Sequence, residues 1–404
     1  MFLKDLKNYQ ITVKKIFKIY DEIFPKHTKY IKTEDAYNKV SAENIYSPID
    51  LPMFNKSAMD GYAVNAQDTY GASENNPIIL NIVSGEKIDS DECIKVSTGM
   101  PIPNGANAVV MKEYVNEEDG FVEVFKSVHP NENISKIGED VKEGDLILKK
   151  GETIGPYHIA LLSSLGIKKV KVYNFKVGIL STGDELINLD DFNSLEELKS
   201  KKKIINSNTP MIKSLIKDVG IDENNINTYN SVEDNKESIK KCILKMLEEN
   251  DVVFTTGGTS VGDRDFTISV IKEIGDLIIH GVKIRPGKPF GFAKIKYNGK
   301  DRVILILSGY PVAAAVQFEL FFRNYFKKRK SVYLPLNRNV PSSLGRTDFV
   351  RVKFIEKGGI SYIEPIRITG SGVLSSIKDA DGYILIEDNV EGYEGNTFVK
   401  VYLY

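Results

Sequence analysis

Two carboxylates, Asp263 and Asp265, close the stretch DVVFTTGGTSVGDRDF, residues 251–266. They follow a glycine turn, Gly257-Gly258, which itself follows an apolar, β-branched run, Val252–Thr255. Carboxylate oxygens suit magnesium, and glycine lets backbone N–H groups come close to an anion. The stretch therefore has the chemistry to hold a cation beside a phosphorylated substrate. The same residues also fit a tight turn whose acids cap the next helix. Arg285-Pro286-Gly287-Lys288 adds two cations around a proline-glycine turn. Arginine grips an oxyanion with two parallel N–H groups, and lysine supplies a point charge. Ser308-Gly309-Tyr310-Pro311 leads from an apolar run into a helix start, another place that favours anions. Ser181-Thr182-Gly183-Asp184-Glu185-Leu186 is a further polar loop behind an apolar run. Two more candidates lie earlier in the chain. Asp60 sits in Ser57–Val64, SAMDGYAV, and Thr98 offers a hydroxyl in the rigid proline-glycine loop Ser97–Gly105. Taken singly, both fit ordinary structural turns.

The elements that must position these residues follow from period and punctuation. Between residues 176 and 330, apolar runs at Val177–Leu180, Val252–Thr255 and Val303–Leu307 alternate with helical patterns at Thr209–Val219, Ser238–Leu247, Thr267–Glu273 and Pro311–Tyr325. Such alternation predicts a doubly wound, mostly parallel α/β sheet with right-handed crossovers, whose ligands bind at the carboxyl ends of the strands. Pro210 at the start and Gly220 at the end punctuate the helix over 209–219, with Asn208 or Thr209 as its N-cap. Residues 51–139 carry short β runs at Ile78–Val83, Ile94–Val96, Ala108–Tyr114 and Phe121–Phe125. Asp119-Gly120 marks a hairpin between two of them, so this region is expected to be an inserted small β-rich domain. Residues 1–50 look helical, with helices around Thr12–Tyr20 and Thr33–Ala42. They are expected to rejoin residues 140–175, including a helix over Pro156–Leu165, in a discontinuous first domain. Residues 331–404, with runs at Phe349–Ile355, Tyr362–Ile366, Tyr383–Ile386 and Phe398–Leu403, are expected to form a C-terminal β-barrel or sandwich. The expected fold class is multidomain α/β plus β.

A chain of 404 residues is too long for one core, and its formal charge of −1 favours neither nucleic acid nor a membrane surface. The basic run Lys199–Lys203 is expected in a solvated loop, and Lys327–Lys330 at a helix end. Two distant cysteines exclude a disulfide framework, and the histidines show no zinc-ligand spacing. No apolar run approaches the roughly 18 residues of a membrane span, and the charged amino terminus lacks a signal-peptide core. A cytoplasmic protein is expected. G-x-G-x-x-G opening a helix is absent, as is G-x-x-x-x-G-K-[ST], which argues against a nicotinamide dehydrogenase and a P-loop enzyme. What remains is a phosphorylated, nucleotide-like substrate with a divalent cation.

SAMDGYAV, TGMPIPNGANAVVMKEY, GEDV at Gly138–Val141, STGDEL, TTGGTSVGDRDF, RPGKPFGF and SGYPVAA follow one another in the order found in the MoeA family. The chain resembles these molybdopterin molybdenumtransferases, relatives of the gephyrin E domain, along its whole length. The resemblance implies the last step of molybdenum cofactor synthesis. Molybdate is inserted into adenylylated molybdopterin, and AMP is released with help from a divalent cation, usually Mg2+. It also implies four domains, the third similar to the smaller molybdopterin adenylyltransferases. The assembly would be an elongated homodimer, with a cleft between the β domain of one subunit and the α/β and C-terminal domains of the other. By motif, Asp60 and Thr98 line that cleft, and Asp140 positions substrate or supports a hinge. Glu185 and Asp265 bind metal or activate the attacking oxygen, with Asp263 beside them. Arg285 and Lys288 hold phosphate or molybdate, and Ser371, in Gly370-Ser371-Gly372, contributes from the last domain. Three departures stand out: Arg285 where the family often has lysine, Glu233-Asp234 where it often has an acid pair whose first member is one methylene shorter, and Ser308-Gly309-Tyr310-Pro311 where it commonly has Pro-Gly-Asn-Pro. Tungstate in place of molybdate stays open. So do an adenylyltransferase acting on molybdopterin and a binding scaffold.

Overall fold

The computed structural model describes residues 6–258, 266–366 and 373–404. The chain divides into two compact units. One comprises Met1–Glu43, Lys149–Ile159 and Lys168–Tyr404, the other Asn44–Leu148 and Ala160–Ile167.

The larger unit begins with helix α1, Tyr9–Ile23, capped by Asn8, whose side chain accepts from the Ile11 N–H. After it the chain turns extended instead of helical. Thr28–Lys32 pairs antiparallel with Lys169–Tyr173. The expected helix over Thr33–Ala42 shrinks to one 3-10 turn, Thr33–Asp35. Val40 and Ser41 bridge to Thr153 and Val172 instead. Pairing with strands more than a hundred residues away overrides the weak local helical pattern, which no sequence window reports.

The α/β sheet then builds from β1 (Val177–Ser181), helix α2 (Asn208–Asp218), β2 (Ile226–Thr228), α3 (Lys236–Glu249) and β3 (Val252–Thr256). It continues through α4 (Phe266–Ile274), β4 (Asp276–His280), β5 (Gly291–Tyr297), β6 (Lys300–Leu307) and α5 (Pro311–Phe318). Strand order is β2-β1-β3-β6-β5-β4. The first four strands are parallel, and β5 runs antiparallel to both its neighbours. The expected mostly parallel sheet is present, with an antiparallel edge. Period-2 alternation explains how it is covered on both faces. Val252, Phe254, Val303, Leu305 and Leu307 point to one side, against α1, α2 and α5. Val253, Ile304 and Ile306 point to the other, against α3 and α4. Each such side chain, fully buried, contributes about 1.5–3 kcal/mol. Strand β4 and the first half of the β5–β6 hairpin carry charged residues and were not legible as strands.

Three local readings change. The basic run is helical over Leu195–Lys201, because Ser194 accepts from the Glu197 N–H and starts a helix that the lysines disguise. Helix α2 is preceded by Ser207 without a side-chain cap; the Asn208 side chain donates instead to the Gly309 carbonyl at 2.8 Å. The helix predicted over Pro311–Tyr325 is continuous but widens to π geometry over Glu319–Arg323.

The last segment forms a six-stranded sheet in the order Ile284–Arg285, Thr347–Lys357, Gly382–Ile386, Phe398–Leu403, Ser331–Pro335, with Ile360–Pro365 following Ile284–Arg285 along the same edge of Thr347–Lys357. A bridge between Leu336 and Ile363 brings the two ends of this path together, as a small barrel requires.

The smaller unit holds a six-stranded sheet with strand order Ala108–Met111, Gly61–Val64, Glu92–Val96, Ile78–Ile82, Phe121–Val124, Val115–Glu118. Asp119-Gly120 does make the hairpin, with Gly120 at φ +88°. The run predicted to extend to Tyr114 ends as a strand at Met111 and turns 3-10 over Lys112–Tyr114.

A candidate oxyanion and phosphate site at the strand ends

The carboxyl ends of β1, β3 and β6 open into three of the polar loops, and hydrogen bonds stitch those loops together. The Thr182 N–H donates to the Thr256 carbonyl at 2.8 Å, and the Gly257 N–H donates to the Leu307 carbonyl at 3.2 Å. Gly257 has φ +93°, and a Cβ there would lie 2.3 Å from the Thr182 carbonyl oxygen, so this position requires glycine twice over. Behind the loops lies a knot of small polar side chains. Ser181 Oγ is 2.9 Å from both Thr256 Oγ1 and Thr209 Oγ1, and it donates to Asn206 Oδ1 at 3.1 Å. Asn206 also accepts from the Thr209 N–H and donates to its hydroxyl. This knot fixes the start of α2 against the ends of β1 and β3.

The cationic turn joins through Gln317 of α5. Its Oε1 accepts from the Ser308 N–H and its Nε2 donates to the Gly287 carbonyl, both at 2.7 Å. One fully buried amide thus ties Ser308-Gly309-Tyr310-Pro311 to Arg285-Pro286-Gly287-Lys288. Among the described residues, Thr182 Oγ1, Asn208 Oδ1 and Thr267 Oγ1 are buried with no protein partner. Thr182 Oγ1 and Thr267 Oγ1 both face Gly258, lying 3.3 and 2.3 Å from where a Cβ would stand. Buried hydroxyls are ordinarily hydrogen-bonded, so this cluster has unused capacity for a ligand.

Glu185 is exposed, and its carboxylate folds back on Gly183, whose Cβ position would lie 2.7 and 2.8 Å from the two oxygens. Neighbouring Asp184 accepts from the Asp234 N–H at 2.9 Å and, through its carbonyl, from Lys203. Arg285 is half-buried. Its Nη2 donates to Asp348 at 2.5 Å while its Nε has no partner. Asp348, buried in the C-terminal sheet, also accepts from Ser342 Oγ at 2.9 Å and Arg346 Nε at 3.1 Å. Lys288 is exposed at the turn, and its carbonyl accepts from the Val282 and Phe290 N–H groups.

In the smaller unit, Asp60 and Thr98 do come together. Asp60 Oδ1 accepts from the Thr98 N–H at 2.8 Å and from its hydroxyl at 3.1 Å. Those two bonds, backbone first, hold the carboxyl below its usual range, with Lys112 adding to the effect. Gly61 follows because a Cβ would strike the Val110 carbonyl at 2.0 Å. A surface cavity of about 370 Å³ opens beside Asp60, Lys95 and Lys112. Asp140 is exposed, its N–H donating to the Leu51 carbonyl. Asp263, Asp265 and Ser371 lie outside the described residues. Sequence reasoning missed Gln317, Asp348, Asn206 and Thr209. The one visible signal was Gln317, an amide inside the apolar run PVAAAVQFELFF.

For a magnesium ion the donor chemistry fits. The loops present carboxylate and hydroxyl oxygens, and magnesium takes one or two carboxylates and completes its shell with water and substrate phosphate. Among the described residues no three histidine, cysteine or acidic side chains gather into a self-sufficient metal centre. Both cysteines are free, and no described helix is long and apolar enough to cross a membrane.

Polar turns joined at the ends of parallel strands, with unpartnered hydroxyls among them, define a protein of the α/β class with an open polar site at its strand ends. Comparison with known proteins makes this specific. Models of the MoeA N-terminal region (domain I and II), the "Probable molybdopterin binding domain" and the MoeA C-terminal region (domain IV) match residues 9–166, 178–328 and 333–404. The chain belongs to the MoeA family. A Methanocaldococcus jannaschii protein, provisionally named for molybdopterin biosynthesis, is 57% identical across 98% of this chain and 96% of its own. The molybdopterin molybdenumtransferase of Haemophilus influenzae is 33% identical over 90% of this chain and 91% of its own. The crystal structure of the molybdopterin biosynthesis moeA protein from Pyrococcus horikoshii OT3 matches with a TM-score of 0.80 at 34% identity, covering 99% of this chain and 100% of that one.

Proposed function

We propose that this chain is a molybdopterin molybdenumtransferase that inserts molybdate, or tungstate in its place, into adenylylated molybdopterin and releases AMP. One observation carries the reading. In a MoeA-family chain, the loops after β1, β3 and β6 are hydrogen-bonded into one surface that leaves buried hydroxyls unpartnered at the glycine turn. Such a surface suits a tetrahedral oxyanion and the phosphates of a nucleotide ester. Thr182, Asn208 and Thr267 supply fixed polar atoms, and the starts of α2 and α5 add their dipoles. Lys288 and the unpartnered Arg285 Nε supply positive charge. Molybdate is already an oxyanion nucleophile, so the protein's task is to place it beside the phosphoanhydride and neutralise the charge there. Glu185 and Asp265 would hold Mg2+, which when bound offsets phosphate charge. Asp263 stands beside them, and Ser371 contributes from the C-terminal segment. In the smaller unit, Asp60, kept ionised by Thr98, accepts hydrogen bonds from the pterin side of the substrate, and Asp140 supports that region. The working assembly is a homodimer in the cytoplasm.

The test is AMP release from adenylylated molybdopterin with magnesium, without oxyanion, with molybdate and with tungstate, for wild type and Asp265→Ala. The expected result is release that requires an oxyanion and collapses in the variant. ATP consumption with molybdopterin in the absence of molybdate would instead mark an adenylyltransferase. No release from folded protein under any condition would leave a scaffold.

A further inference from the structure

We propose that a second pocket, walled by residues 149–153, the chain beyond α5 at 323–330 and the end of the last strand at 403–404, binds a small anion carrying two or more phosphate groups. The pocket encloses about 730 Å³ and lies wholly within the larger unit, at the point where the chain re-enters it. Lys149 and Lys150 stand in one wall, Lys328 and Lys330 in another, and Arg323 lines it as well.

Several of the cations here are held by two acids, buried Glu319 and exposed Asp218. Arg329 donates to both oxygens of Glu319, at 2.8 and 3.0 Å. Arg323 Nη2 meets Asp218 at 2.6 Å, and Lys327 donates to the Asp218 carbonyl and to Asn38 Oδ1, each at 2.8 Å. These matches do not exhaust the positive groups. Arg323, only 2% exposed, has Nη1 without a partner. Among the described residues, no ion pair engages Lys149, Lys328 or Lys330. Glu152 is the one acid among the described lining residues. It is turned back to its own loop, where it accepts from the Lys149 N–H at 3.0 Å.

A guanidinium N–H that is nine-tenths buried and unpartnered is costly unless something accepts from it. Burial pulls both the Arg323 guanidinium and the Lys327 ammonium below their usual values, and neighbouring arginines add repulsion that Glu319 and Asp218 only partly offset. An anion in the pocket offsets the excess positive charge gathered around it. Lysines in separate walls and a guanidinium beside them match several phosphate oxygens at once. The volume exceeds what one orthophosphate fills. The near-neutral charge of the whole chain, −1, argues against a nucleic-acid track, since the excess of cations is local to this pocket.

The test is calorimetric titration of the full chain with inorganic pyrophosphate at low ionic strength. Wild type, the double variant Lys328→Ala/Lys330→Ala and Lys288→Ala are compared. Both pocket lysines are exposed, so the double variant keeps its fold, checked by circular dichroism. Pyrophosphate should bind wild type and Lys288→Ala, and bind the double variant at least tenfold more weakly. ATP should compete for the same site, and orthophosphate should bind more weakly than pyrophosphate. Undiminished pyrophosphate affinity in the double variant would overturn the site. So would loss of binding in Lys288→Ala alone, or absence of binding to wild type. Orthophosphate binding as tightly as pyrophosphate would overturn the two-phosphate assignment.

Discussion

Replacing Gln317 by leucine should loosen the strand-end site without touching any residue expected to meet substrate. Leucine nearly matches glutamine in size and suits the apolar helix, so packing is largely kept. What is lost is a pair of hydrogen bonds at 2.7 Å, from the Ser308 N–H and to the Gly287 carbonyl. Gln317 is fully buried. A buried backbone group left without a partner costs about 1–3 kcal/mol, and two groups cost roughly 2–6 kcal/mol in a rigid site. Both belong to turns that can shift or admit water, which places the expected loss near ~2–4 kcal/mol. The chain has no tryptophan, so urea unfolding is best followed by far-ultraviolet circular dichroism. AMP release should fall more than tenfold in kcat/KM, because Arg285-Pro286-Gly287-Lys288 and Ser308-Gly309-Tyr310-Pro311 lose their mutual register. Gln317→Glu keeps the acceptor for Ser308 but turns a carboxylate toward the Gly287 carbonyl. Burial and that carbonyl raise the folded-state pKa of the new carboxyl. Its protonated form can donate to Gly287, so this variant should be relatively stable in mild acid and lose stability as pH rises through the raised value. A Gln317→Leu protein within about 0.5 kcal/mol of wild type, with unchanged turnover, would refute the idea that this amide holds the two turns.

Three other outcomes follow from the same geometry. Gly257→Ala forces a Cβ to 2.3 Å from the Thr182 carbonyl oxygen at φ +93°, so AMP release should drop at least tenfold, whereas Gly71→Ala, whose Cβ meets nothing within 4 Å, should leave turnover unchanged. Asp348→Ala removes the buried acceptor shared by Arg285, Arg346 and Ser342; both arginines are partly exposed and can be rehydrated, so the loss should be about 1–3 kcal/mol, read as a lower urea midpoint. For Asp60, the folded-state value lies below the ordinary one, so its contribution to stability is present above the unfolded value and lost as pH falls through the folded one. Carbon-detected NMR titration of Thr98→Val should show the Asp60 midpoint rising only part of the way, because the larger cause, the Thr98 backbone N–H, remains.

The sequence by itself determined the strands β1, β3 and β6, their helices, and the polar loops at their ends. Those features are written locally, in runs of β-branched residues, in period-2 or helical spacing, and in glycine and proline at turns. It also determined the family, because seven motifs in one order leave little room for another reading. The helix over Leu195–Lys201 stands where a solvated loop was expected, because Ser194 starts it while the lysine run has the composition of a loop. Tertiary structure alone decided that Thr28–Lys32 is a strand, since its partner Lys169–Tyr173 is remote in sequence. It decided that Arg285 is held by Asp348 of the neighbouring strand, more than sixty residues on in the chain, and that Gln317 joins two turns. The physical reason is the same in each case. A side chain's type declares which bonds it can make, but its partners are chosen by the packing of segments far apart along the chain. No local pattern carries that choice.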